Sequence, residues 1–319
     1  MRILQIGQWS TAVVLTGMAL FTGNDLAGQS PPGDAVIRAP ADPSEIVITT
    51  TSRLAGAIHS LTWNGKEFID STDHGRQLQS AANFDLRKPF FPEVFNPTEA
   101  GSRQDGAGAT SSSRLIALKA SGRQLETTTQ MAFWLAPGEK SAGHPAVNEQ
   151  VLSDHRLTKR VVIGHKQFPH AIEYDVTFTI PPAEKHTLAQ FEALTGYMPS
   201  EFEKFWTFDP ETGDMRSLDD GPGEQPKPVV FSTADQQFAM GVMAAEPPPP
   251  TSDGPGYGRF RFRTEDVVKW NCVYRVRNPA GVQPGEYRYR MFVVVGTCDT
   301  VRETLKSLAG SKKGTQLFD

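Results

Sequence analysis

Residues 258–277 read GRFRFRTEDVVKWNCVYRVR, and their alternation sets the fold class. In the first half, Arg259, Arg261 and Arg263 fall on every second position with Phe260 and Phe262 between them. Successive side chains of a strand point to opposite faces, so the arginines share one face and the phenylalanines are expected in the core. The second half repeats the pattern. Lys269, Asn271, Arg275 and Arg277 stand on one face, against Trp270, Cys272, Tyr274 and Val276. A third run sets Arg288 and Arg290 against Tyr287, Tyr289 and Met291.

The same period recurs in both directions from this stretch. Strands are predicted at 45–51, 56–63, 114–119, 124–135, 158–164, 171–180, 229–232, 237–243, 258–263, 267–277 and 286–296. The last two read as a hairpin turning around Asn278–Gly285. Residues 183–206 have mixed helical character, and Thr300–Leu308 reads as a short helix capped by Asp299 and stopped at Gly310. These patterns predict an all-β chain, a large antiparallel β-sandwich with a short C-terminal helix.

Charge and the N-terminus narrow the class further. With 32 Lys+Arg against 36 Asp+Glu the net charge is −4, which argues against a nucleic-acid partner. Thr11–Phe21 is an uncharged run after Arg2, followed by small residues at Ala27 and Gly28. Residues 1–28 therefore read as a secretory signal peptide, 29–44 as a Pro-rich linker and 45–319 as one domain. The expectation is a secreted or periplasmic protein without a transmembrane segment. Its two cysteines, Cys272 and Cys298, would meet an oxidising compartment. The hairpin register sets them apart by roughly 20 Å at strand rise, so a disulfide requires a different pairing.

Polar loops carry the candidate chemistry. Asp70–Gln79, Asn96–Asp105 and Thr110–Ser113 gather His74, Arg76, Gln77, Gln79, Asn96, Glu99 and Arg103. Amides, carboxylates and guanidinium groups of this kind make paired hydrogen bonds to sugar hydroxyls. The competing reading is that Asp, Asn, Gly and Ser only form turns there. His155 stands beside Asp154 and near Lys159 at the start of a strand, where it could exchange protons. Residues 259–290 hold eight basic groups against three acidic ones, a face including Arg259, Lys269 and Asn271 that would suit an anionic glycan. Alternatively the acidic loop Asp209–Glu224 neutralises it, or itself holds calcium, the one ion weighed in an otherwise cofactor-free and metal-free reading. Hydrolase elbows, phosphate loops and zinc helices are absent from the sequence.

The runs GAIHSLTWNGKEFI (56–69) and DHGRQLQSA (73–81) resemble the opening of galactose-mutarotase-like proteins. Gly56, Ile58, Ser60 and Leu61 match a first motif, and Gly75 and Arg76 a Gly-Arg turn that faces sugar in that family. The resemblance implies a sandwich, a carbohydrate held on a concave sheet face, and a His acid with a Glu base. No segment matches the family's catalytic His motif. The reading that follows is a secreted carbohydrate-active protein using acid/base chemistry. His74 or His155 would exchange the proton with Glu99 as partner. Arg76, Gln77, Gln79, Asn96, Arg103, Lys159, Arg259, Lys269 and Asn271 would hold the glycan. The alternatives are a non-catalytic glycan-binding or cell-surface module, or an exported sandwich without a small ligand. The enzyme reading requires 70–79, 96–105 and 155–159 to converge in one cleft.

Overall fold

The computed structural model describes residues 30–86 and 88–315. The expected signal peptide lies outside them. In chain order the strands are β1 (Ala35–Ala41), β2 (Ser44–Thr50), β3 (Ile58–Trp63), β4 (Lys66–Glu67), β5 (Leu78–Phe84), β6 (Pro97–Thr98) and β7 (Arg114–Ser121). Next come β8 (Gln124–Phe133), β9 (Lys140–Ser141), β10 (His144–Pro145), β11 (Leu152–His165), β12 (Phe168–Ile180), β13 (His186–Pro199) and β14 (Lys204–Phe208). The series ends with β15 (Met215–Ser217), β16 (Gly223–Gln225), β17 (Val229–Ser232), β18 (Ala239–Ala244), β19 (Asp253–Phe262), β20 (Val267–Val282) and β21 (Gly285–Gly296). One helix, α1 (Cys298–Thr315), closes the described chain.

Antiparallel pairing arranges these strands in two layers. One runs β7-β8-β11-β12-β21-β18-β17-β14-β15. The other runs β1-β2-β3-β5-β13-β20-β19-β16. The two-residue strand β6 bridges β5 to β8 and so links the layers. Alternate residues of both, including Phe191, Trp270, Tyr274, Val176 and Val293, meet in the shared core. The opposite face of the first layer packs Val294, Val230 and Met243 under Val301, Leu305 and Leu308 of α1. The sandwich predicted from alternation is what forms. Among the described residues no helix is long and apolar enough to cross a membrane.

Four local expectations are corrected. Residues 35–41 of the supposed linker form β1, paired along its length with β2. Its period-2 burial was hidden by the prolines around it. The segment 183–206 is mainly strand: β13 carries a bulge where both Ala193 and Leu194 enter the core, which breaks the alternation and imitates helical spacing. β20 and β21 form no hairpin; β20 joins β13 and β19, whereas β21 crosses to the other layer between β12 and β18. Both cysteines are free and buried, Cys272 between the layers and Cys298 at the start of α1, in the cluster it forms with the first layer. Finally, α1 is capped by Thr297, whose Oγ1 accepts from Thr300 N at 3.2 Å, and it runs through Gly310. A glycine inside a helix costs only about 1 kcal/mol, which the buried face of α1 offsets.

Candidate functional site

The outer face of the second layer forms a cleft of about 620 Å³. Alternation on four neighbouring strands builds its floor. β5 contributes Gln79 and Asn83, β20 contributes Lys269, Asn271 and Arg275, and β19 contributes Phe260 and Phe262. On β13 the bulge shifts the phase, so Gln190 and Glu192 before it share the cleft face with Thr195 and Tyr197 after it. Bulges that re-aim side chains in this way are common beside binding sites. The walls come from loops: Asp73, Gly75 and Arg76 on one side, Glu93 and Asn96 with Trp134 on another. A Cβ at Gly75 would stand 2.7 Å from the Trp134 ring, so glycine is what lets the indole lie over this turn.

At the centre, Glu192 Oε2 accepts from Thr195 Oγ1 at 2.9 Å, Lys269 Nζ at 3.2 Å and Asn271 Nδ2 at 3.3 Å. Burial opposes ionisation of this carboxyl, but the Lys269 charge and the three donors outweigh it and hold its pKa below the usual value. Lys269 in turn is pushed up, since Glu192 and Tyr197 outweigh its burial. Its ammonium lies 5.2 Å from the Tyr197 ring centre and 5.3 Å from that of Phe260. Burial raises the Tyr197 phenol, which stays protonated at neutral pH. Arg275 binds both Glu224 oxygens at 2.8 Å and Gln190 Oε1 at 2.9 Å. Arg76 pairs with Asp73 at 3.3 Å. Gln79 donates to Gly75 O at 2.9 Å, and its own Oε1 has no hydrogen-bond partner.

Five of the residues expected at a site do converge here: Arg76, Gln79, Asn96, Lys269 and Asn271. The rest are elsewhere. His74 is buried, with Nδ1 2.8 Å from Gly106 O and Nε2 2.9 Å from Arg53 O, so it pins two loops and has no free nitrogen. Gln77 is likewise buried and bonds Asp73 O. Glu99 and Lys159 are paired with each other inside the sandwich. Arg103 reaches Glu139 at 3.0 Å on the surface. His155 joins Glu184 and His186 in a separate buried cluster. None of the three groups expected to be catalytic lines the cleft.

The cationic face is also redistributed. Arg259 and Arg261 point away from the cleft and pair with Asp219 at 2.6 Å and Asp220 at 3.1 Å. Arg261 also lies over the Phe205 ring at 4.9 Å. Phe260 and Phe262, expected in the core, occupy the cleft instead. Alternation separates the two faces of β19 without saying which is inward, because an arginine stem packs as well as a ring once its head is paired. Of the acidic loop weighed for calcium, Asp209 pairs with Lys227, Asp219 with Arg259, Asp220 with Arg261 and Arg263, and Glu224 with Arg275. Neutralisation is therefore what that loop does. Glu192, Thr195 and Tyr197 were missed within the bulged segment, as was Trp134 just after β8, whose apolar neighbours Phe133 and Leu135 gave no sign of a binding role.

No protein-family model matches the sequence, and no curated protein is similar to it. Among solved structures, the chain is similar to a protein of Escherichia coli K12 provisionally named an aldose 1-epimerase. That match has 10% identity and a TM-score of 0.46, over 83% of this chain and 99% of the other. A glycosyl hydrolase family 38 protein of Enterococcus faecalis gives 11% identity and a TM-score of 0.48, over 86% of this chain and 33% of that one. A heparan sulfate lyase mutant of Pedobacter heparinus gives 7% identity and a TM-score of 0.42, over 83% and 35%. Each of these is named for a reaction on a sugar. The likeness is one of overall shape, and what the cleft binds has to be argued from its own side chains.

Proposed function

We propose that the chain is an exported carbohydrate-active protein whose cleft takes a neutral sugar and exchanges protons with it. The observation that carries this is the composition of one surface. Trp134, Tyr197, Phe260 and Phe262 offer ring faces beside the amides of Gln79, Asn83, Asn96, Gln190 and Asn271. Sugar rings have apolar faces and hydroxyl edges, and this pairing of aromatics with planar amides answers both. Charge selects within that class. The lining carries Asp73, Glu93, Glu192, Glu224 and Glu265 against Arg76, Lys269 and Arg275, five carboxylates to three cations. An anionic glycan would meet net repulsion there, so the acidic substrate considered from sequence gives way to a neutral one.

For chemistry, Glu192 supplies an ionised oxygen and Tyr197 a protonated phenol on the same strand, with Lys269 beside both. An acceptor and a donor held across a sugar edge are the minimum for acid/base catalysis. The test is a screen of the purified protein against neutral and uronate-containing oligosaccharides. It follows thermal shift, anomeric interconversion, new reducing ends and the absorbance of unsaturated uronate. A shift with a neutral sugar, together with turnover lost in Glu192→Gln, is the expected result. A shift without turnover would overturn the enzymatic half and leave a binding module. Silence with every sugar would overturn the reading.

A further inference from the structure

Away from the cleft, His155 on β11, His186 at the start of β13 and Glu184 in the connection before it form a second cluster of polar groups. We propose that these three side chains bind a divalent transition metal, with zinc the best match, and that the ion ties the two layers together. The donor atoms are already gathered. His186 Nε2 stands 2.9 Å and His155 Nε2 3.2 Å from the same Glu184 oxygen, and all three ligand atoms lie within 4.8 Å of one another. Zinc bonds of about 2.0–2.2 Å to nitrogen and oxygen place tetrahedral donors on the order of 3.3 Å apart, so little movement closes this set around an ion.

The surroundings are costly for the imidazoles without one. Both histidines are buried, His155 at 2% and His186 at 0% exposure. The Phe84 ring stacks on His186 at 4.5 Å and on His155 at 4.8 Å, with Phe95 and Phe133 about 6 Å from His155. Nδ1 of His155 and Nδ1 of His186 make no hydrogen bond, and His155 Nε2 faces only the Glu184 carboxylate at 3.2 Å among the polar contacts described. Buried nitrogens in an aromatic box normally have partners.

A second layer of support is present. Asp85 lies 4.0 Å from His186 Nδ1 and is fixed by Thr187 N at 2.9 Å. A carboxylate behind a histidine ligand fixes the ring and raises its basicity once the ring N–H donates to it, and a shift of about 1 Å on metal binding would close this contact. The Glu184 side chain is 19% exposed, which gives the ion an entry path and room for a water as fourth ligand. None of the three residues lines the cleft, so the role is a staple between β11 and β13 and independent of the sugar reading.

The test strips the full chain with a chelator and titrates it with zinc(II) alone, following calorimetry, native mass and thermal melting. One ion per chain and a raised melting temperature are expected. Glu184→Gln should abolish that uptake, and Asp85→Asn should weaken it about 10–100-fold. His165→Ala, at the surface His165–Glu173 pair, should leave it unchanged. Undiminished uptake by Glu184→Gln, or none by the unaltered chain, overturns the proposal. X-ray absorption of the zinc-loaded unaltered chain keeps the test decisive should the variants fail to fold. Two imidazoles in the shell support the site, and an all-oxygen shell overturns it.

Discussion

Glu99 and Lys159 form an ion pair with no solvent exposure on either side chain, sealed between the two layers of the sandwich. Glu99 Oε2 also accepts from Ser80 N at 3.1 Å, so the pair fastens β5 and the loop after β6 to β11. A buried pair is no guarantee of net stability, but removing one partner strands a charge in low dielectric. Lys159→Met is therefore expected to cost about 3–5 kcal/mol in urea unfolding. The double variant with Glu99→Gln should recover most of that loss. Sugar binding in the cleft should be unchanged in the double variant; loss of binding there would restore these residues to the site.

His74 makes a similar distinction. Its two nitrogens hold the carbonyls of Arg53 and Gly106, which belong to different loops. His74→Ala leaves the Arg53 carbonyl without its partner, while Gly106 O keeps the backbone N–H of residue 74 at 2.9 Å, and should lower stability by about 1–3 kcal/mol. Turnover per folded molecule should be retained, measured below the melting temperature of the variant. A folded His74→Ala protein with no turnover would return the proton-transfer role to this histidine.

What the sequence disclosed, and what it withheld, divides along physical lines. Alternation made β20 legible to the residue: Lys269, Asn271 and Arg275 do face outward, and Trp270, Cys272 and Tyr274 do enter the core. Layer assignment was hidden, because β20 and β21 are neighbours in sequence yet belong to different layers, and no local pattern records that crossing. Burial of charge was hidden too. Lys159 and Glu99 are distant in sequence, and only their spatial meeting makes either tolerable in the core. The bulge at Ala193–Leu194 concealed Glu192 and Tyr197 by breaking the period that would have exposed them. Of the residues named in the polar loops, Arg76, Gln79 and Asn96 reach the cleft, because only their spatial neighbours decide which loop positions face it.

The aromatic lining should carry affinity more than stability. Phe262 is 36% exposed, and Phe260 faces the same cleft, their rings parallel at 6.0 Å. Phe260→Ala and Trp134→Ala are each expected to weaken sugar binding about tenfold, equivalent to ~1.4 kcal/mol. Isothermal titration against the best neutral sugar measures this, with circular dichroism as the check on fold. Unchanged affinity in both variants would remove the rings from the binding surface.

Gly258 tests the floor of the cleft without touching a ligand-binding side chain. A Cβ there would stand 2.2 Å from Asn271 Oδ1 and 3.0 Å from the Phe260 ring. Gly258→Ala should therefore turn Asn271 out of place, breaking its bonds to Gly258 N at 3.0 Å and Glu192 at 3.3 Å. Loss of most sugar affinity is expected with the sandwich intact. A variant that binds normally would mean Asn271 is not needed where it stands.

The pair of Glu192 and Lys269 fixes a pH signature for the site. Glu192 has its pKa lowered from the usual 4.5 in the folded chain, so it contributes stability that is complete above that value. The contribution is lost as pH falls through the lower folded value. Lys269 is raised above the usual 10.5, so its contribution is complete below that value and is lost only as pH rises through the higher folded one. Between these limits the pair adds the same amount at every pH, and the acid limb belongs to Glu192. Glu192→Gln should flatten the part of the stability profile below pH 4.5 that comes from this carboxyl while leaving the alkaline limb of other groups. Urea unfolding at a series of acid pH values compares the two chains. Identical slopes below pH 4.5 would show that Lys269 does not hold Glu192 ionised, and with it would fall the assignment of Glu192 as the proton acceptor.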